Sequence, residues 1–488
     1  MLTAKSSFIA SGLLIFSQLT RRLISIISMV ILARILAPSD FGLVAISLLL
    51  MNFVQVISTT GGGQYLLSRD RLTSEMVFTS WTLNFLIKTS LAILLAFFST
   101  LVADYYNDPR LVPLVVVMAT QIFIESLGSP AMIYKRKNLQ LGEITKWEVY
   151  IKIITAITSI TIAYIYESYW ALVVGQFTSA VLHVCATYVI APAKPKISLA
   201  NVTEQWKFTK WILPQSVLNF FRSQIDAIVV SSWFDKASFG AYNSMRYYAT
   251  MPGDVFIKPA LGPLLTQFSE FKTNHHYFKE QCRVVIFVLF SISIPIVYFM
   301  QSHAEFVISL VLGEQWVKYY PLFSFFSIMT VVMAFNQFLS QILMLRDMTR
   351  ILFGYSIFTT LLQIIIFSLG EFNSVFDLAI YKVSVDIAAI SLFFLFVVAL
   401  VFSLSECFKL ILFGIPAVVA ITVGDLVSQR LILAQSEFVE FILKVTTVSV
   451  VYCTIVFVII RTLRSKVRAF AYLHTLFLKA LGKFHVIR

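Results

Sequence analysis

The chain has 488 residues, of which 58% are hydrophobic and only 13% are charged, and its net charge is +13. Soluble domains usually carry about 25% charged residues, whereas the apolar residues here occur in long runs such as Ala388–Ser403 and Val445–Ile460. A helix of roughly 20 apolar residues is long enough to cross the hydrocarbon core of a bilayer. These features exclude a soluble enzyme or binding domain and predict an all-α polytopic membrane protein.

The sequence carries no signature of nucleic-acid, metal or nucleotide chemistry. The positive-inside rule, which places lysine and arginine in cytoplasmic connectors, explains most of the positive charge without a nucleic-acid partner. The four cysteines are far apart with none in a CxxC pair, the six histidines form no HExxH motif, and no P-loop is present. We therefore expect no nucleic acid, no bound metal, no cofactor and no catalytic residues.

About fourteen apolar segments are predicted to cross the membrane. They are residues 8–35, 41–60, 77–101, 111–134, 148–166, 169–191, 211–233, 240–262, 284–303, 320–345, 351–369, 378–404, 409–427 and 439–460. The first is expected to remain as a helix because Arg21 and Arg22 interrupt it and no small-residue cleavage site follows. Basic residues are concentrated in the inside connectors when both termini are cytoplasmic, which favours an even number of spans. Twelve spans are the alternative.

The spans divide into two groups of six followed by two more. The longest inside connector between well-formed spans is Pro192–Lys210. We predict a six-helix lobe over residues 1–192, a second over 193–404, two additional helices over 405–461 and a basic amphipathic cytoplasmic tail over 462–488.

A short sequence echo indicates that the two groups of six are related. Phe41-Gly42 opens the second span, and Phe239-Gly240 opens the eighth, 198 residues later. Both glycines are expected to let an outside hairpin turn with close backbone approach. The echo predicts an internal duplication with both halves in the same orientation, and carriers built in this way bind substrate at the repeat interface.

Basic residues at membrane depth are the candidate functional residues. Arg21, Arg22, Lys88 and Arg222 lie near span centres, where insertion costs roughly 3 kcal/mol for each charge. They must be paired with acids or line a wet cavity, and we expect all four to share one cavity. Polar residues on the same helical faces favour the cavity, although the amides could serve only to pack helices together. The predicted substrate-binding set is Arg21, Arg22, Lys88, Arg222, Arg246, Gln18 and Asn219.

Acidic residues are fewer than bases at the central positions. Asp226 and Asp386 can pair with Arg222 and Lys382 at i, i+4 spacing, whereas Glu125 has no obvious local partner. These three acids are the candidates for ion coupling. A surplus of arginine suits an anion, and its planar fork suits phosphate oxygens in particular.

Other basic residues are assigned to the membrane surface. Lys152, Lys258 and Lys444 lie within about two turns of a predicted span end and are expected to reach the headgroups. The tail has an apolar face with basic flanks, which predicts a helix over residues 466–484 lying on the anionic cytoplasmic leaflet. A frayed tail, or one packed against the bundle, is the alternative.

Several stretches resemble one transporter family. They are LARILAPSDFGLVAISLLL, GGGQYLLSRDRLTSEM followed by FTSWTLN, YNSMRYYATMPGDVFIKPALGPLLTQFSEF, and VLGEQWVKYYPLF. In order and spacing they resemble the polysaccharide transporter branch of the multidrug/oligosaccharidyl-lipid/polysaccharide exporter superfamily, in particular its O-antigen and colanic-acid type flippases. The matches cover about the first 350 residues, and beyond them only the span pattern agrees.

The resemblance implies a V-shaped bundle of two six-helix lobes with two further helices, working by alternating access in a bacterial inner membrane. The implied cargo is an oligosaccharide linked to undecaprenyl diphosphate, moved for the biosynthesis of lipopolysaccharide or exopolysaccharide. Membrane lipids, a polysaccharide polymerase and glycosyltransferases are the expected partners. The alternatives are a drug or other lipid exporter of the same superfamily and a polysaccharide polymerase or ligase. A drug or cation antiporter would need surplus acid in its cavity, and a polymerase or ligase would usually need a sizeable outside loop.

Overall fold

The computed structural model describes residues 4–58, 61–257, 275–401, 414–431 and 437–463. Every regular element within these ranges is a helix, as the composition predicts. Lys258 and the tail helix predicted over residues 466–484 lie outside the described residues.

The helices follow one another with short connectors. Those before residue 258 are α1 (Ala4–Ile35), α2 (Pro38–Ser58), α3 (Gly62–Ser68), α4 (Ser74–Phe97), α5 (Ser99–Tyr105), α6 (Leu111–Ser126), α7 (Met132–Lys137), α8 (Leu141–Tyr166), α9 (Trp170–Ile190), α10 (Val202–Trp233), α11 (Lys236–Pro252) and a π-helical turn (Gly253–Ile257). Those after residue 274 are α12 (His275–Ser302), α13 (Ala304–Leu312), a 3-10 turn (Glu314–Tyr319), α14 (Tyr320–Ser327), α15 (Met329–Leu345), α16 (Thr349–Leu369), α17 (Val375–Val401), α18 (Ile415–Leu431) and α19 (Glu437–Leu463).

Each predicted span coincides with one or two of these helices, which makes the chain a multi-pass membrane protein. In the described part of the chain, nine helical segments are long and apolar enough to cross a membrane, and α6 and α18 are apolar but shorter. The count of fourteen stays a prediction. The other helices that match predicted spans, α1, α10 and α11, hold four of the five bases of the predicted substrate-binding set.

Several helices begin earlier than the hydropathy predicted, and α8 and α10 do so by about two turns. Helix α8 begins at Leu141, two turns before the predicted start at residue 148, and α10 begins at Val202, before the predicted start at residue 211. In both cases charged residues occupy the first turns and lower the hydropathy of a segment that is nevertheless helical. The early start of α8 places its acidic residues deeper in the helix than the sequence suggested.

Packing divides the chain into two units. They comprise Met1–Ser244 with Ile308–Lys318 and Thr359–Leu378, and Met245–Val307 with Tyr319–Phe358 and Ala379–Arg488. In the first unit α1 packs on α8, α8 on α9, α9 on α6, and α6 on α4 and α2. In the second unit α12 packs on α14, α15 and α18, and α18 packs on α19. The lobe boundaries at residues 192 and 404 remain a prediction.

Small residues let neighbouring helices approach closely inside each unit. A Cβ on Gly175 of α9 would overlap the hydroxyl of Ser159 on α8, and a Cβ on Gly424 of α18 would crowd Val448 on α19. Lipid tails are as apolar as leucine, so helices in a membrane associate through such close packing and through hydrogen bonds rather than through the hydrophobic effect.

A glycine–glycine contact joins the openings of α2 and α11 within the first unit, at the end that the sequence assigns to the outside. A Cβ on Gly42 would overlap the carbonyl oxygen of Lys236, and a Cβ on Gly240 would overlap the carbonyl oxygen of Pro38. Pro38 and Lys236 each lie four residues before a glycine of the pair, so the contact is reciprocal, as at a two-fold interface. This reciprocity supports the predicted duplication.

The two glycines serve close approach, not a turn. Both lie inside helices, and neither has a positive φ. The expectation that the glycines let each outside hairpin turn is therefore wrong. The expected close approach of two backbones is present, but it occurs between α2 and α11.

The same end of the first unit is closed by the connector that follows α13. The indole N–H of Trp316 and the amide of Gln315 both donate to the carbonyl oxygen of Ala33, each over 2.7 Å. Carbonyls in the last turn of a helix have no partner within it, so these side chains cap α1. The Trp316 ring is fully buried and meets Phe41 edge-on at 5.2 Å.

An ion cluster completes this end of the first unit. The buried carboxylate of Asp108, between α5 and α6, pairs with the guanidinium of Arg110 at 2.8 Å and with Nζ of Lys236 at 2.6 Å. The hydrogen bonds from Arg110, together with the nearby Lys236, hold the pKa of Asp108 well below its ordinary value of 3.8. The pair with Lys236 ties the connector of the first half to the start of α11.

Alanine at Gly42 or Gly240 should lower the free energy of unfolding by about 1–3 kcal/mol, the usual cost of overpacking, because the new methyl group meets a facing carbonyl. Gly354 in α16 is the matched control, because open space lies where its Cβ would be and alanine is the better helix former. Thermal unfolding of the purified variants measures the difference. A Gly42→Ala protein as stable as Gly354→Ala would contradict the contact.

Replacing Asp108 with asparagine should destabilise the protein equally at about pH 5 and about pH 8. A carboxyl with a depressed pKa stabilises the fold above its unfolded pKa, and this stabilisation is lost only as the pH falls through the lower folded value. Thermal unfolding at the two pH values tests this, with the exposed Asp70→Asn as control. A difference that vanishes at the lower pH would show that Asp108 is not held by its basic neighbours.

Candidate functional site

Arg21, in the middle of α1, forms an ion pair with Glu148 on α8. A terminal guanidinium nitrogen of Arg21 lies 2.6 Å from a carboxylate oxygen of Glu148, and the side chains are 33% and 29% exposed. The sequence singled out Arg21 but not Glu148, because Glu148 was the first residue of a predicted span. The helix begins seven residues earlier, so Glu148 lies two turns inside it and reaches the depth of Arg21.

Lys88 on α4 pairs with Glu125 on α6. Nζ of Lys88 lies 3.7 Å from a carboxylate oxygen of Glu125, with the side chains 18% and 26% exposed. The amides of Gln55 on α2 and Gln121 on α6 donate to the two carboxylate oxygens over 3.2 and 3.1 Å. Glu125 therefore has a partner, on a different helix, which its sequence neighbours could not reveal.

The two ion pairs belong to one cluster. His183 on α9 lies within electrostatic range of Glu148, Glu125 and Arg21, and Lys152 on α8 lies within range of Arg21. Lys152 is three turns from the start of α8, and its expected reach to the headgroups stays a prediction. The inner polar cluster draws on all six long helices of the first half: Arg21, Gln55, Lys88, Gln121, Glu125, Glu148, Lys152 and His183.

The remaining predicted residues of the first unit lie on α1 and α10. Arg22 and Arg222 are half-buried, and Gln18 and Asn219 are exposed. Asp226, one turn after Arg222, is fully buried and accepts a 2.7 Å hydrogen bond from the hydroxyl of Tyr242 on α11. Arg21 and Lys88 are paired with acids but not sealed by them, and a cavity shared by the four central bases stays a prediction.

The predicted residues of the second unit lie on α11 and α17. Nζ of Lys382 is 3.2 Å from a carboxylate oxygen of Asp386, the pair that the i, i+4 spacing predicts. Arg246 is half-buried. An acid and a base one turn apart on a buried helix face satisfy one another, as charges at membrane depth require.

The sequence profile of the family described as polysaccharide biosynthesis protein matches residues 31–321, more than half of the chain. The chain belongs to this family. The resemblance to polysaccharide transporters that the sequence motifs carry is thereby confirmed.

Two relatives show how far the similarity extends. The succinoglycan biosynthesis transport protein ExoT of Rhizobium meliloti is 23% identical over 295 residues, which is 60% of this chain and 59% of ExoT. The lipopolysaccharide biosynthesis protein WzxC of Escherichia coli is 21% identical over 353 residues, 70% of each chain. The aligned part thus spans about three fifths of the length of ExoT.

Solved transporter structures share the fold. The lipid II flippase MurJ in an inward closed conformation superposes with a TM-score of 0.77 at 15% identity, covering 92% of this chain and 99% of that one. An inward-facing multidrug transporter of the MATE family gives a TM-score of 0.56 at 14% identity, covering 80% and 96%. At these identities the likeness concerns the fold alone, and it confirms the predicted fold class.

Replacing either Arg21 or Glu148 with methionine should lower the free energy of unfolding by about 1–3 kcal/mol, because the partner is left as an unpaired charge. Replacing both should cost less than the two single changes together, since no unpaired charge remains. Thermal unfolding of the three variants measures this coupling. The control is the pair Lys135 and Glu143, in which the Glu143 side chain is 66% exposed against 29% for Glu148. Near-additive losses at Arg21 and Glu148 would contradict a coupled pair.

Proposed function

We propose that the chain is a flippase that moves an oligosaccharide linked to undecaprenyl diphosphate across the bacterial inner membrane by alternating access. The inner polar cluster is the observation that carries this proposal. Its ionisable groups lie on long helices of a membrane protein, where each charge must be useful enough to offset its cost.

The charge balance of the cluster favours an anionic cargo. Its three bases, Arg21, Lys88 and Lys152, outnumber its two carboxylates, so positive charge is left over when each acid has taken one base. Arginine forks match phosphate oxygens in geometry and charge. A diphosphate would therefore be held by the bases, while its polyprenyl chain stays in the lipid and its sugar in water. The same surplus disfavours a cationic drug.

The relatives support the same assignment. ExoT is named for transport in succinoglycan biosynthesis and WzxC for lipopolysaccharide biosynthesis, and MurJ is a flippase of lipid II. We infer a multi-pass protein of the inner membrane with both termini in the cytoplasm. A polysaccharide polymerase and glycosyltransferases would act on the same lipid-linked cargo, whereas the chain itself acts as a carrier and not as an enzyme.

Transport by reconstituted protein tests the proposal. Liposomes containing the purified chain and a fluorescent undecaprenyl-diphosphate oligosaccharide should show protein-dependent movement of the label between leaflets, measured by quenching from one side. Arg21→Ala should slow this movement by about tenfold or more, because it removes a phosphate-binding fork worth roughly 1.4 kcal/mol or more.

The control for this assay is Lys146→Ala, which removes an exposed base on α8 that lies outside the cluster. Its rate should equal that of the parent protein. Equal rates for parent protein, Arg21→Ala and protein-free liposomes would contradict the proposal.

A further inference from the structure

The two carboxylates of the inner polar cluster occupy the bases that a diphosphate would need. Glu148 holds a terminal nitrogen of Arg21 at 2.6 Å, and Glu125 lies 3.7 Å from Nζ of Lys88. All four side chains keep some exposed surface, as a site open to a ligand requires. An anion that enters the cluster must therefore compete with Glu148 and Glu125 for the same donors.

Arg21 is not fully satisfied by its carboxylate. Its Nε is buried and has no hydrogen-bond partner among the described residues. An arginine has five N–H donors in a rigid fork, and a buried donor without an acceptor is costly. A diphosphate offers more acceptor oxygens than one carboxylate, so it can accept hydrogen bonds from the guanidinium N–H groups of Arg21 that Glu148 does not use.

Glu125 is held in a way that lets it release its base. Gln55 and Gln121 donate to its two oxygens over 3.2 and 3.1 Å, whereas Lys88 stands farther away. When Lys88 turns to another anion, the amides still solvate the carboxylate. Loss of Lys88 therefore does not leave Glu125 as an unsolvated charge at membrane depth, where its free-energy cost would be prohibitive.

We propose that Glu148 and Glu125 are internal competitors of the cargo's diphosphate, and this inference rests on the proposed function. In the empty carrier they hold Arg21 and Lys88, they yield these bases when the diphosphate enters, and they take them back when it leaves. The competition weakens binding and so speeds release, the step that limits turnover in many carriers and enzymes. No proton or metal ion is required for this exchange.

Neutralising one competitor at a time tests the proposal. In Glu148→Gln and Glu125→Gln, the dissociation constant for undecaprenyl diphosphate, measured with the purified protein in lipid nanodiscs, should fall by about tenfold. The maximal flipping rate should fall as well, because release becomes slower. Glu148→Asp keeps the negative charge and should return the affinity towards that of the parent. A residue with only a structural role would not tighten binding when it is replaced.

Glu143→Gln is the matched control, because Glu143 also lies on α8 and pairs with a base, Lys135, at 3.2 Å, but lies outside the cluster. It should leave both affinity and rate unchanged. Neutral undecaprenol, which has no phosphate, should bind the parent and the glutamine variants equally weakly. Size-exclusion profiles verify that each variant is folded. If Glu148→Gln is unstable, Glu125→Gln alone tests the proposal, because Gln55 and Gln121 can still hydrogen-bond to the new side chain.

Unchanged or weaker binding in the glutamine variants would overturn the competitor role while leaving the proposed function intact. A parent protein that binds undecaprenyl diphosphate no better than undecaprenol would overturn both. The two failures are therefore distinguishable in one set of titrations.

Discussion

The cost of placing charge inside a bilayer is the constraint on which the rest of this structure depends. Arg21 and Lys88 lie on helices that match predicted spans, and each has a carboxylate on a neighbouring helix, Glu148 and Glu125. These pairs link α1 to α8 and α4 to α6. The contacts that neutralise the charges therefore also join neighbouring helices. Because a partly exposed ion pair contributes little net stability, retaining two of them at this depth is better explained by ligand binding than by folding.

The positions of the helices followed from the sequence, because long apolar runs leave few alternatives in a membrane. Their ends did not. The acids and bases in the first turns of α8 and α10 resemble a connector by hydropathy, yet α8 begins at Leu141 and α10 at Val202. Because the predicted span began at residue 148, Glu148 was placed at its end and was not recognised as the partner of Arg21. Partners one turn apart on one helix, such as Lys382 and Asp386, were predictable.

Contacts between distant segments were the part of the site that the sequence could not supply. No local pattern places Gln55 beside Glu125, or His183 within range of both acids. The Phe-Gly echo predicted related hairpins, but it did not predict that Gly42 contacts the second hairpin directly. Spacing along one helix is readable because its period is fixed, whereas packing between helices depends on side-chain shape over the whole interface.

Infrared difference spectroscopy on protein labelled with carbon-13 in its glutamate carboxyl groups tests most directly whether the diphosphate takes the bases from these acids. Adding undecaprenyl diphosphate should shift the carboxylate stretching bands, as Glu148 and Glu125 lose their ion-pair partners, and the shift should be absent when both residues are glutamine. Undecaprenol should produce no shift. Saturating binding of the diphosphate with unchanged carboxylate bands would contradict the account, because Arg21 and Lys88 would then have kept their acidic partners.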